Sequence, residues 1–426
     1  MKRPSPPIVL LAIIATSGLL GPSVMATANA EPEASCDPGV TNYIEQTPFV
    51  VSQLGLEHVW QISTGKGVIV AVVDSGVSAR NAHLPTSGAS PALMTGADFI
   101  DPENDNPRSP ISAEDFTGAV YGDGRIDLTG HGTHIAGQIA ARPIAGSALV
   151  GVAKEARILP VRVQGAGNPL AYVTAHGIRW AADQGAKIIV VAQSTPEDTW
   201  ALRTAVTYAT QRGALVVASA GNNYDGNAPA GEPRYPAGYP EVLGVTAIDT
   251  DGLPSSAVAQ GPQVDIAAPG QAIITTFFNA GDCVIAIDKP STSYATAYVA
   301  GVAALIAAKY PSEGPVGWKY RLLATASRPI AQDRDDSIGW GIISPLAALR
   351  FVNDGRAVGP PNPKFDPPPS VPPTLMPRPS EPAQIPADTK LALTIGLIGA
   401  FALLGAALVT QRLIATSRRS GHSTRE

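Results

Sequence analysis

From Leu391 to Val409 the chain runs for nineteen residues (LALTIGLIGAFALLGAALV) without a charged side chain. About 20 apolar residues are needed to cross a bilayer's hydrocarbon core as a helix, so residues 390–410 are predicted to span a membrane. Behind the run come Arg412, Arg418, Arg419 and Arg425 against Glu426 alone. Positive charge beside a span marks the cytoplasmic side, which makes residues 411–426 a cytoplasmic basic tail and leaves the preceding chain outside the cytoplasm. A buried core helix is the alternative, but it would show a polar stripe and would not end the chain on basic residues.

The opposite end points to the same compartment. Lys2 and Arg3 precede an apolar run from Ile8 to Leu20, and Ala28-Asn29-Ala30 is a small-residue pattern that signal peptidases accept. Residues 1–30 read as a signal peptide with the mature chain starting near Glu31; as an uncleaved anchor the run is short. Before the span, residues 354–389 hold PPNPKFDPPPSVPPTLMPRPSEPAQIPA, too rich in proline for helix or sheet. They read as a polyproline II stalk rather than as a ligand for a proline-binding module, since such modules are mostly cytoplasmic.

Residues 31–50 form an N-terminal extension, and 51–353 remain as one folded domain. A net charge of −5 and the lack of a long basic stripe exclude a nucleic-acid binder. Two cysteines exclude a Cys-based zinc or iron–sulfur centre. In an oxidising compartment the simplest pairing is Cys36 with Cys283, two free thiols being the alternative. The apolar runs GVIVAVV (67–73), AKIIVVA (186–192) and GALVVASA (213–220) are short and continuous, as in parallel strands buried on both faces. Helical stretches of crossover length, Ala171 to Gln184 and Thr199 to Arg212, sit between these runs, so the class is α/β.

Four elements carry chemistry. Asp74, in VDSG, ends the first strand, where open α/β sheets place their sites. His131, in GHGTHIAG, lies between two glycines at the first turn of a helix. His134 is one turn on, but a helical zinc pair uses i, i+4 with a neighbouring Glu, so no metal is assigned. Asn222 follows the strand GALVVAS, and an amide there can donate to an oxyanion or simply make a turn. Ser293, in PSTSYATAYVAG, opens a helix, where a serine is either a nucleophile helped by the dipole or an ordinary cap.

In the order Asp, His, Asn, Ser these elements resemble the subtilisin-like serine peptidase family, together with VDIAAPG (264–270) and GWGIISPLAAL (339–349). The resemblance implies a parallel sheet with helices on both faces and hydrolysis of peptide bonds in protein or peptide substrates. By it, Ser293 is the nucleophile, His131 the general base, Asp74 its orienting carboxylate and Asn222 an oxyanion donor. The sequence departs from the family at Ser291, where Gly is usual, and at Ala297, where Pro is usual. Val190-Val191-Ala192-Gln193-Ser194 replaces a family wall of the substrate cleft, so the groove is expected to differ from that of a digestive protease.

The whole architecture, with no removable prodomain in residues 31–50, resembles the mycosins, membrane-anchored peptidases of type VII secretion systems. That implies limited proteolysis beside a secretion complex and contact with its membrane proteins; the alternative is a scaffold subunit with peptidase activity secondary or absent. No cofactor is expected. Between the Asp74 and His131 motifs lie Asp98, Asp101, Glu103, Asp105, Glu114, Asp115, Asp123 and Asp127. Oxygen ligands of this kind suit calcium, but the spacing is not that of an EF-hand, and the stretch reads as a solvated insertion. His58, His83 and His176 read as structural.

The orientation is testable. Protease added outside right-side-out vesicles should cut the proline stalk, release a soluble fragment containing Ser293 and leave the basic tail protected. Digestion of the tail with the catalytic domain intact would reverse the topology.

Overall fold

A computed structural model describes residues 36, 39–101, 117–165, 170–224, 226, 231–366 and 387–420. The predicted signal peptide, residues 102–116 of the acidic stretch and most of the predicted proline stalk lie outside the described residues. The chain divides into two units, Met1–Pro367 and Pro368–Glu426.

In the first unit, short helices α1 (Phe49–Gln53) and α2 (Leu56–Trp60) lead into β1 (Ile69–Asp74) and the two-residue β2 (Ala97–Asp98). Next come α3 (His131–Ala140), β3 (Arg157–Arg162), α4 (Ala171–Asp183), β4 (Ile188–Val191), α5 (Trp200–Gln211), β5 (Leu215–Ser219), β6 (Leu243–Ile248) and β7 (Ile266–Pro269). A hairpin of β8 (Ile273–Thr276) and β9 (Asp282–Ile285) precedes α6 (Thr292–Lys309), α7 (Gly314–Ala324) and α8 (Pro345–Arg350). The sheet order is β2-β3-β1-β4-β5-β6-β7, and every pairing in it is parallel. The three apolar runs read from the sequence are β1, β4 and β5, and both anticipated crossover helices form as α4 and α5.

Continuous hydrophobicity is explained by the two faces. Val70, Val72, Ile188, Val190, Val217 and Val245 pack with α3 and α6 on one side. Ala71, Val73, Ile189, Val191, Val216 and Ala218 pack with α4 and α5 on the other. A strand whose alternate side chains both enter a core cannot alternate in polarity. On the first face α6 is buried almost all round, with small residues that let it lie close to its neighbours. A methyl at Gly301 would come within 2.7 Å of Val152 Cβ, so the close packing depends on its absence.

The N-terminal extension is sewn to the β8–β9 hairpin. Cys36 is bonded to Cys283 with their Cα atoms 5.4 Å apart. Asn42 N donates to Ala280 O at 3.0 Å, and Asp282 N donates to Asn42 O at 2.7 Å. Asp282 also accepts from Ile44 N at 2.9 Å, and its other carboxylate oxygen lies 2.8 Å from His83 Nε2. His83 Nδ1 sits 2.7 Å from the Arg142 carbonyl, so both ring nitrogens face oxygen atoms.

Part of the acidic stretch is not a solvated insertion. Asp98 is buried and paired with Arg162 at 3.0 Å. Asp127 is buried as well and takes the place of a cap on α3, whose own N-cap, Gly130, has no side chain to offer. Its carboxylate accepts from Gly130 N at 2.8 Å, Thr133 N at 2.9 Å, Thr133 Oγ1 at 2.6 Å and Ser75 Oγ at 3.0 Å. The solvated reading fails for these two acids because composition cannot show which carboxylates have donors waiting in the fold. Glu103, Asp105, Glu114 and Asp115 lie outside the described residues.

The second unit contains α9 (Ala387–Ser420), whose stretch Leu391–Ile414 is long and apolar enough to cross a membrane, with a mean hydropathy of 2.3.

Two expectations follow. Asp127→Ala strands several buried donors at once and should lower stability by roughly 2–4 kcal/mol; a denaturant melt unchanged from wild type would show that the cap carries no weight. Reduction of Cys36–Cys283, which closes a separation of 247 residues, should lower stability by up to about 5 kcal/mol on the chain-entropy account. Alkylation of both thiols in the native, unreduced protein would contradict the bond.

Candidate active site

The carboxyl ends of β1 and β5 and the amino ends of α3 and α6 meet at one edge of the sheet. Asp74 is the last residue of β1, His131 the first of α3, Asn222 follows β5, and Ser293 is the second residue of α6. Each is placed where regular structure stops, so its backbone is fixed by a strand or helix while its side chain is free to face the site.

Asp74 and His131 are in direct contact. His131 Nδ1 donates to Asp74 Oδ1 at 2.8 Å, and the same oxygen accepts from Ser75 N at 2.7 Å. The carboxylate is 1% exposed and the imidazole 29%, so the far edge of the ring reaches solvent while its partner does not. Burial works against charge on both groups. For Asp74 the positive imidazole and the hydrogen bonds prevail, and its carboxyl stays below the usual 3.8. For His131 the Asp74 carboxylate prevails over burial and raises the ring above the usual 6.5. The glycine after His131 is what lets the contact form: a methyl at Gly132 would lie 2.0 Å from the Gly76 carbonyl.

Asn222 is held by its oxygen. Oδ1 accepts from Thr292 N and from Thr292 Oγ1, both at 3.0 Å, and Thr292 Oγ1 lies 2.6 Å from Ser219 Oγ. With the oxygen so occupied, the amide turns its N–H groups away from the helix end. The first turn of α6 leaves the Ser293 N–H without an acceptor among the described residues. The Asn222 amide N–H groups, the Ser293 N–H and the positive end of the α6 dipole are thus the donors at this helix start.

The Ser293 hydroxyl donates to the Ala192 carbonyl at 2.8 Å, and among the described residues it makes no hydrogen bond to His131. Thr292, next to it, is buried in the Ser219–Asn222 network and faces away from the site. Ser291 is buried too, with its N–H on the Gly270 carbonyl at 2.9 Å. His134 does not share a ligand set with His131: it stacks on Phe277 with ring centroids 5.9 Å apart, and burial pushes it down to about 3. Sequence reasoning missed the Asp127 cap, the Thr292–Ser219 clamp on Asn222 and the Ala192 carbonyl. The run Asp127-Leu128-Thr129-Gly130 offered a signal for the cap, an acid three residues before a glycine at a helix start.

Known proteins resemble this chain in sequence and fold. A family model described as the Subtilase family matches residues 65–341. Mycosin-3 of Mycobacterium tuberculosis is 32% identical, over 88% of this chain and 87% of its own length. Thermitase of Thermoactinomyces vulgaris is 33% identical over 63% of this chain and 84% of its own. Among solved structures, MycP1, described as a serine protease and an essential component of the type VII (ESX-1) secretion system, superposes with a TM-score of 0.62 at 28% identity, covering 73% of this chain and 90% of that one. MycP3, a protease from the type VII (ESX-3) secretion system, gives 0.58 at 30% identity, covering 74% and 90%. With the matched region enclosing Asp74, His131, Asn222 and Ser293, the sheet and its site have one assignment: the chain belongs to the subtilase family and is a mycosin-like serine endopeptidase.

Proposed function

We propose that Ser293, His131 and Asp74 form the catalytic triad of a membrane-anchored endopeptidase working outside the cytoplasm, with Asn222 and the Ser293 N–H as oxyanion donors. The observation that carries this reading is the buried Asp74–His131 hydrogen bond, 2.8 Å long, facing a helix start whose serine has two free donors beside it. In the reaction, the Ser293 hydroxyl swings from the Ala192 carbonyl to His131 Nε2 and loses its proton as the oxygen attacks the scissile carbonyl. Asp74 holds the Nδ1–H tautomer and stabilises the imidazolium. Asn222 Nδ2 and Ser293 N bind the tetrahedral oxygen, and the imidazolium then protonates the leaving amine. Water repeats the sequence to release the acid.

The apolar stretch of α9, followed by basic residues, supports single-pass anchoring with the tail in the cytoplasm. On this reading the chain comprises a signal peptide (1–30), an extension (31–50), the peptidase domain (51–353), a proline-rich linker (354–389), the span (390–410) and the tail (411–426). Its relatives' place in type VII secretion supports association with such a complex and action on proteins that pass through it.

Ser293→Ala should lower peptide hydrolysis by roughly 10⁶-fold while the thermal melt stays that of wild type. Near-normal hydrolysis would remove Ser293 from the mechanism. The base must be neutral to accept the proton, and its raised pKa places the acid limb of kcat/KM above pH 6.5, with activity falling as pH drops through it. Asp74→Asn should move that limb to lower pH and cut kcat on the order of 10⁴-fold. An unmoved limb would mean that another group controls it.

A further inference from the structure

Beside Asn222 lies an arginine that the fold leaves without a partner. Arg234 is half-buried, and among the described residues its guanidinium makes no hydrogen bond or ion pair. Other inward-lying arginines are saturated. Arg142 donates to the carbonyls of Ser90, Ala140, Lys154, Pro91 and Ala156, Arg321 grips Glu313, and Arg328 binds the carbonyls of Leu323, Ala326, Ala331, Trp340 and Val358. A guanidinium held in place without carboxylate or carbonyl keeps its fork of donors available for an anion.

Its position is set by the backbone. Tyr235 N donates to Thr195 O at 2.8 Å and Thr195 N to Tyr235 O at 2.9 Å, an antiparallel bridge that straps the Arg234 segment to the chain leaving β4. The side chains of Arg234 and Ser194 both approach Gly221, and Ser194 lies two residues after the Ala192 carbonyl that receives the Ser293 hydroxyl. Gly221 lies immediately before Asn222 and at φ +104°: a methyl there would meet Arg234 Cγ and Ser194 Oγ, each at 3.1 Å. The missing side chain lets Arg234 and Ser194 lie close against the backbone immediately before Asn222. A substrate carbonyl oxygen at Asn222 Nδ2 would bring the side chain of the residue that bears it within reach of the Arg234 guanidinium.

Resting on the reading of Ser293 and Asn222 as the acyl-transfer site, we infer that Arg234 selects an acidic side chain on the residue whose carbonyl is attacked. The substrate class is then a peptide or unfolded segment cut after Glu or Asp. The carboxylate pairs with the guanidinium in a site partly withdrawn from water, where a charge-assisted bond discriminates by about 10- to 100-fold against the neutral isostere.

The test uses the full-length protein in detergent and two peptidyl diphenyl phosphonates that differ only in carrying a glutamate or a glutamine side chain next to phosphorus. Labelling of Ser293 should be about 10- to 100-fold faster with the glutamate reagent. Arg234→Gln should bring the ratio to about one, Arg234→Lys should keep part of it, and Arg234→Glu should favour a lysine-bearing reagent. Equal rates in the wild type, or a preference that survives Arg234→Gln, overturn the inference while leaving the triad in place. If neither reagent labels and Ser293→Ala cleaves peptides as wild type does, the site reading falls and takes the inference with it.

Discussion

The burial of α6 against the sheet is the constraint on which the rest depends. Fifteen of its eighteen residues are enclosed, from Thr292 to Ala307. A helix buried on all sides has no amphipathic stripe to define its orientation, so its rotation and depth are set by small residues that permit close approach and by what grips its ends. Here the amino end is gripped by Asn222 Oδ1 and Ser219 through Thr292. That clamp fixes where Ser293 emerges and, by occupying the amide's oxygen, also decides which way its donors turn. Packing and oxyanion geometry are consequences of one contact.

A second coupling links the charge pair to the same frame. Asp74 is buried at the end of a strand whose every side chain after Ile69 is inside, and a lone carboxylate there would be protonated rather than charged. The imidazole of His131 reverses that, and α3 can present His131 only because Asp127 satisfies its first turn from outside the helix. The buried Asp127 is itself pushed up by burial, so the cap draws on hydrogen bonds more than on charge.

Much of this was legible in the sequence. The continuous apolar runs gave β1, β4 and β5 because parallel strands covered on both faces leave no polar alternation, and the spacing between them gave α4 and α5. Asp74, His131, Asn222 and Ser293 each stood at a strand end or helix start, where short-range patterns carry information. What escaped was long-range pairing. Thr292 looks like a cap residue, yet its hydroxyl bonds 70 residues away, and Asp98 looks solvated, yet it meets Arg162 across 64. Arg234 was equally silent, since nothing in Pro233-Arg234-Tyr235 shows that its neighbours bond elsewhere. Spacing along the chain encodes local geometry, and these contacts are products of the sheet order.

The bond between Cys36 and Cys283 has a temporal side. All seven strands of the sheet, and the first strand of the hairpin, lie between the two cysteines, and Ser293 follows only ten residues later. Cys36 leaves the ribosome long before its partner exists, and Asn42 and Ile44 have no β8–β9 hairpin to dock on until then. The extension must wait as a free thiol through the making of the whole sheet, so the oxidised bond records that the chain has been completed as far as the threshold of its nucleophile.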